Sequence, residues 1–228
     1  MTICFQSRRR LLWLIVILIS LTLYFPINHI ARGGTELLLP IDKNVPFFPS
    51  AIVPYLFGSL LFFGLPIWAA IYVKRGEFET YVISILLGTA VSYFIYIVFP
   101  TFVTRPDVTS TDIFSKAIVI LYQTDRAYNA APSGHALYTT LSFLYLSRWK
   151  PRFKPIWFAI AGLILLSTLL TKQHHLLDLV SGLSLGVLVY WVGLFAGKKW
   201  DLEFASSKKS RTQERNSRGF TKLRLGRS

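Results

Sequence analysis

Three things are scarce in this sequence. Cysteine occurs once, as Cys4, so no intrachain disulfide forms and no cysteine cluster can hold a metal. Acidic residues number 11 against 25 basic ones, and the two signs together make up only 16% of the chain. That is too little charge to cover a soluble domain of 228 residues of which 53% are hydrophobic. A small-residue cleavage site is also missing after the first apolar stretch, which follows Arg8-Arg9-Arg10; it is expected to stay as a membrane span. Cys4 lies beside that basic run, and an idle thiol is expected there rather than a palmitoylated one. No internal repeat is visible.

What is abundant is apolar sequence in blocks of about 20 residues, the length that crosses a bilayer core as a helix. Six spans are expected, over 11–29, 51–73, 80–100, 133–148, 155–172 and 176–197. The fourth is the shortest and carries Thr139, Thr140 and Ser142. The fold class is therefore an all-α integral membrane bundle of six transmembrane helices. A short interfacial helix is expected in the loop after the third span, within Asp112–Gln123. Residues 1–200 form the membrane domain and 201–228 a basic tail, too poor in apolar residues to build a core and expected to be disordered. The loop between the first two spans holds Pro40, Pro46 and Pro49 and reads as packing over the bundle, with no chemistry assigned to it.

The formal net charge of +14 suits nucleic acid at first sight, but its distribution excludes that partner. Nineteen of the 25 basic residues fall in the N-terminal run, at Lys74-Arg75, in the Arg148 to Lys154 cluster and in the tail. By span parity these lie on one side, which the positive-inside rule makes cytoplasmic, both termini included. The loops carrying Arg105, His135 and His174 then face the other side. Plasma or inner membrane is the expected location; the sequence leaves oligomeric state open.

Ionisable residues gather at that second face, where they cost free energy and so point to function. Asn129-Ala-Ala-Pro132-Ser133-Gly134-His135 opens the fourth span. Ser133 can cap the helix, Gly134 lets a phosphate approach the backbone, and the free N–H groups attract an anion. His135 can move a proton near neutral pH; the plainer reading is a capped helix with an interfacial histidine. His174 and Asp178 are four residues apart and share a helical face, so the carboxylate can fix the imidazole tautomer. His175 is three from Asp178, and spacing alone does not rank the two histidines. The plainer reading there is a polar clasp between helices. Arg105, alone an interfacial anchor, becomes a bidentate phosphate partner when it faces these strings.

Arg105-Pro106, then Pro132-Ser133-Gly134-His135, then His174-x-x-x-Asp178, in this order and on matching loops, resemble the type-2 phosphatidic acid phosphatase superfamily. The resemblance spans Val98 to Gly182. It implies that His174 is the nucleophile, that Asp178 holds it, and that His135 protonates the leaving group. Two positions depart from the motifs. Val98 stands where the family usually has lysine, and Thr168, after Ser167, where it usually has arginine; Lys172 is the expected substitute cation. The pattern from Asp125 through Asn129 to His135 resembles the branch with inositol phosphorylceramide synthases and sphingomyelin synthases, which makes Asp125 and Asn129 supporting residues.

The expected activity is that of a metal-independent lipid phosphate phosphatase or phosphotransferase, with a phosphohistidine intermediate and no cofactor. Arg105, Lys172, Ser133 and Gly134 are expected to bind phosphate, and the partners are a lipid phosphate and the bilayer. An alternative is head-group transfer to a lipid alcohol. Two further readings stand behind it: a zinc site built from the histidines and Asp178, and a transporter or scaffold that keeps the fold without chemistry.

Overall fold

The computed structural model describes residues 8–197; Cys4 and the expected tail 201–228 lie outside them. The apolar blocks become helices because a backbone in hydrocarbon must satisfy its own hydrogen bonds. Helices α1 (Arg8–Thr22) and α2 (Tyr24–Ile30) run nearly end to end. Next come α3 (Ile52–Tyr72), α4 (Arg75–Val98), the short α5 (Ile113–Thr124), α6 (Gly134–Trp149), α7 (Lys154–Leu170) and α8 (Leu176–Gly197). Helix α5 forms where the short helix was expected, capped by Asp112, whose side chain accepts from the backbone N–H groups of Phe114 and Ser115.

Five of these segments are long and apolar enough to cross a membrane: Arg8–Ile30, Pro49–Tyr72, Arg75–Val98, Pro151–Leu170 and Leu176–Gly197. The fourth expected span, α6, has 16 residues. At 1.5 Å per residue that is about 24 Å, short of a hydrocarbon core of roughly 30 Å. Its position explains why so short a helix suffices. Leu137, Leu141 and Tyr145 are almost wholly enclosed by neighbouring helices, so α6 packs against protein and need not match the lipid thickness.

The outer surface is apolar, as lipid requires. Leu60, Phe94, Trp191 and Phe195 are between 63% and 75% exposed, whereas Ser84, Thr89, Ser142 and Ser167 are buried. The buried hydroxyls bond between helices: Ser84 Oγ reaches the Tyr145 hydroxyl and the Val189 carbonyl at 2.9 Å each, and Thr89 reaches Tyr138 at 2.9 Å. Glycines bring α8 hard against α6. A Cβ on Gly182 would lie 2.3 Å from the Ser133 carbonyl oxygen, and one on Gly186 would lie 2.8 Å from Thr140 Cβ.

The basic clusters and the motif residues sit at opposite ends. At the basic end Arg148 makes a two-point contact with Glu77, 2.8 Å per bond, and Arg9 and Arg75 both meet Glu79. At the other end a minimal parallel sheet joins the two long loops, with β1 (Thr35–Glu36) beside β2 (Thr101–Phe102).

Candidate active site

The site is built where the starts of α6 and α8 meet. Ser133 caps α6 by accepting from the Ala136 N–H at 3.2 Å, and its own N–H donates to the Asp178 carbonyl at 3.0 Å. The close approach at Gly182 makes that second bond possible. The turn before it is pinned elsewhere: Tyr96 donates to the Pro132 carbonyl at 2.7 Å, and the Ala131 N–H donates to Thr101 Oγ1 at 2.7 Å. Asn129 adopts φ 59, a left-handed conformation that asparagine tolerates better than most residues.

His135 and His174 both line a cavity of about 250 Å³, with ring centroids 6.3 Å apart. His135 stacks on Tyr55 at 4.1 Å, meets the edge of Phe62 at 4.9 Å, and places Nε2 3.0 Å from Ser59 Oγ. Three side-chain contacts thus fix the orientation of the ring. Gly134, Asp125 and Asn129 face the same cavity, which continues past Tyr96 and Ser92 to Leu21. Phe25 of α2 and Leu56 of α3 line it and are each 43% exposed, so it opens sideways toward lipid.

The helical-face expectation for His174 and Asp178 is met only in part. Helix α8 starts at Leu176, so His174 lies in the turn before it. Its Nδ1 is 3.8 Å from Asp178 Oδ2, within ion-pair reach but too far for a hydrogen bond. That oxygen instead accepts the His175 N–H at 2.8 Å, a helix-capping bond. Asp178 Oδ1 and His174 Nδ1 are both buried and unpartnered. The two histidines are separated by environment. His174 is partly open to the cavity, while His175 is buried and its Nε2–H donates a hydrogen bond to Glu36 Oε1 at 3.0 Å.

Arg105 is held from three sides. It donates to the Asp125 carbonyl at 2.6 Å and to Gln173 Oε1, and its guanidinium lies 4.5 Å over the Tyr122 ring. It does not line the cavity, although Asp125, whose carbonyl it holds, does. The Asp125 carboxylate accepts from Tyr24 at 2.8 Å and from Tyr55 at 3.5 Å. Burial raises its pKa above the ordinary carboxylate range, with Arg105 opposing.

The structure does not bring Lys172 to the cavity. With φ 54, it directs its ammonium to the carbonyl oxygens of Val45 and Asp42 in the first outer loop. Burial lowers its pKa, with Asp42 acting the other way. Val98 is 58% exposed at the end of α4. Thr168 is fully buried, and its carbonyl accepts the N–H groups of Gln173 and His174. The position without its expected arginine thus shapes the turn that carries His174.

Sequence reasoning missed Ser59, Tyr55, Gln173 and Glu36. Ser59 and Tyr55 sit within an ordinary apolar span, and nothing in their spacing marks them. Glu36 had one signal, its rarity as one of 11 acids in the chain. Burial pushes its pKa up, but hydrogen bonds from His175 and Thr104 outweigh that and hold it below the usual range. Among the described residues no group of three histidine, cysteine or acidic side chains is placed to hold a metal ion.

The model of the PAP2 superfamily matches residues 80–200, which contain Arg105, His135, His174 and Asp178. No curated protein matches the chain. Among solved structures it is similar to the crystal structure of LpxE from Aquifex aeolicus, with a TM-score of 0.49 and 21% identity over 77% of this chain and 94% of that one.

Proposed function

Since the chain belongs to the PAP2 superfamily, a phosphatase superfamily, we propose that it cleaves a lipid phosphate ester through a phosphohistidine at His174. The observation that carries this reading is that His174 and His135 line one cavity with their rings 6.3 Å apart. The lipid enters between α2 and α3. Arg105, held behind Asp125 with its Nε unpartnered, turns toward the cavity, and it and the Gly134 N–H at the start of α6 bind the phosphate oxygens. A small rotation closes the 3.8 Å gap, so that Asp178 accepts a hydrogen bond from His174 Nδ1–H and leaves Nε2 free. His174 Nε2 then attacks phosphorus, the bond to the leaving oxygen breaks, and His135 gives that oxygen a proton. In the second half His135 takes a proton from water, whose oxygen attacks phosphorus and frees His174. Ser59 holds the His135 ring through both halves.

A second reading, transfer to a lipid alcohol, is favoured by one feature of the cavity. Among the described residues no lysine or arginine lines it, and the carboxyl of Asp125 does, beside an unpartnered Asn129 amide. Such a wall suits a hydroxyl better than a second charged phosphate. The proposed orientation puts the site outside and the Lys74, Arg148 and terminal clusters in the cytoplasm.

The test is purified protein with a panel of lipid phosphates, with and without excess diacylglycerol or ceramide. Release of inorganic phosphate that ignores the alcohol supports hydrolysis, and label in a new lipid supports transfer. No turnover of any phosphorylated lipid contradicts both. In a Cys4→Ser background, cysteines at Ser50 and Thr109 should react with an impermeant maleimide in intact cells, and one at Lys150 should not; the reverse pattern inverts the orientation.

A further inference from the structure

The turn that presents His174 is held by its own backbone bonds to α7 and also from the first outer loop, the segment to which the sequence assigned no chemistry. Asp42 Oδ1 accepts the Leu176 N–H at 2.9 Å, the Phe48 N–H donates to the Leu170 carbonyl at 2.9 Å, and Lys172 reaches the Val45 carbonyl. Closest to the chemistry is Glu36. A single oxygen, Oε1, accepts from His175 Nε2 at 3.0 Å and from the Thr104 N–H at 2.6 Å. His175 follows His174 directly, and Thr104 directly precedes Arg105. One carboxylate oxygen therefore joins the neighbours of two groups that work on the same phosphate.

The loop is shaped to deliver that oxygen. Gly34 has φ +119, and a Cβ there would lie 2.3 Å from the Pro100 carbonyl oxygen, so a larger residue would push β1 off β2. The Thr35 N–H then bonds that carbonyl at 2.9 Å, and β1 pairs Glu36 with Phe102. On the far side, Arg105 bonds Gln173, which closes a ring of contacts from Glu36 through Thr104, Arg105 and Gln173 to His175 and back.

We infer that Glu36 and His175 are a pair of positioning residues, a clamp that sets the distance between the nucleophile His174 and the phosphate-binding Arg105. Neither touches the reacting atoms. The inference rests on the proposed roles of His174 and Arg105. Its chemistry is the hydrogen bond and not the charge: both donors go to the same oxygen, so an amide oxygen in that place serves as well. A misplacement of about 1 Å at a reacting centre can cost around 100-fold in rate.

The test is a double-mutant cycle on the full-length protein in detergent or vesicles, with thermal stability measured in parallel. Glu36→Ala and His175→Ala should each lower kcat about 10- to 100-fold. The double variant should be no slower than the slower single one. Glu36→Gln should keep at least a third of wild-type kcat. Multiplying losses in the double variant, or a kcat unchanged in Glu36→Ala, overturns the clamp. So does a Glu36→Gln variant as slow as Glu36→Ala while equally stable. His174→Ala, run alongside, separates the two claims. Full activity there refutes the nucleophile assignment, while coupling or its absence between Glu36 and His175 still decides whether they act as a unit.

Discussion

The two ends of the bundle treat charge differently. At the basic end both carboxylates near the start of α4 are engaged by arginine: Glu77 by Arg148, and Glu79 by Arg9 and Arg75. At the other end lie five buried side-chain atoms without a partner, on Arg105, Asn129, Gln173, His174 and Asp178. A native protein leaves few such atoms, because each costs about 1–3 kcal/mol. Five in two neighbouring loops and the first turn of α8 mark a region where polar groups are held ready. The basic end is mainly a fastening: both its carboxylates are paired, although Arg10 Nε, Trp13 Nε1 and Ser147 Oγ also lack a partner.

That contrast orders the expected effects of substitution. The largest belongs to His174. His174→Ala should abolish turnover, a loss of at least about 10⁴-fold, with the folded fraction unchanged, whereas His175→Ala should retain measurable activity. Steady-state rates beside thermal stability check this, and equal loss in both variants contradicts the ranking. Next comes His135→Ala, with an expected fall of about 10²- to 10⁴-fold, the range of general acid–base catalysis. Ser59→Ala should fall by about 10-fold, since it only holds the ring; a Ser59→Ala loss as large as that of His135→Ala would place the hydroxyl in the chemistry. The smallest effect belongs to the basic end. Arg148 and Glu77 are partly exposed, so Arg148→Ala should cost no more than about 1 kcal/mol and leave kcat unchanged. A drop in kcat there would couple the two ends and break the comparison.

How far these features were legible depended on whether their signal was local. Apolar runs located the helices to within about five residues, because lipid leaves the backbone no alternative to a helix there, though the first span is split into α1 and α2. Helix α6 came out shorter than a span for a reason no local pattern carries: it is enclosed by its neighbours. Arg105, His135, His174 and Asp178 stood out because polar types recur at fixed spacing around short turns, and the structure brings His135 and His174 to one cavity. Lys172 was expected at phosphate from its nearness to His174, but a left-handed backbone sends its side chain to Val45 and Asp42. Glu36 is 139 positions from His175. The fold of the first outer loop brings them together, through β1 beside β2 and the bonds of Asp42 and Val45, and a two-residue strand leaves no periodicity to read.

The central claim is the covalent intermediate on His174. The most direct measurement is a rapid quench of EDTA-treated protein turning over a lipid labelled in its phosphate, followed by denaturing electrophoresis. The account predicts label on the protein that is lost in acid and stable in base, as a phosphoramidate is, and absent from His174→Ala. Label of the same chemistry on folded His174→Ala, or none on a wild-type protein that is turning over, would contradict it.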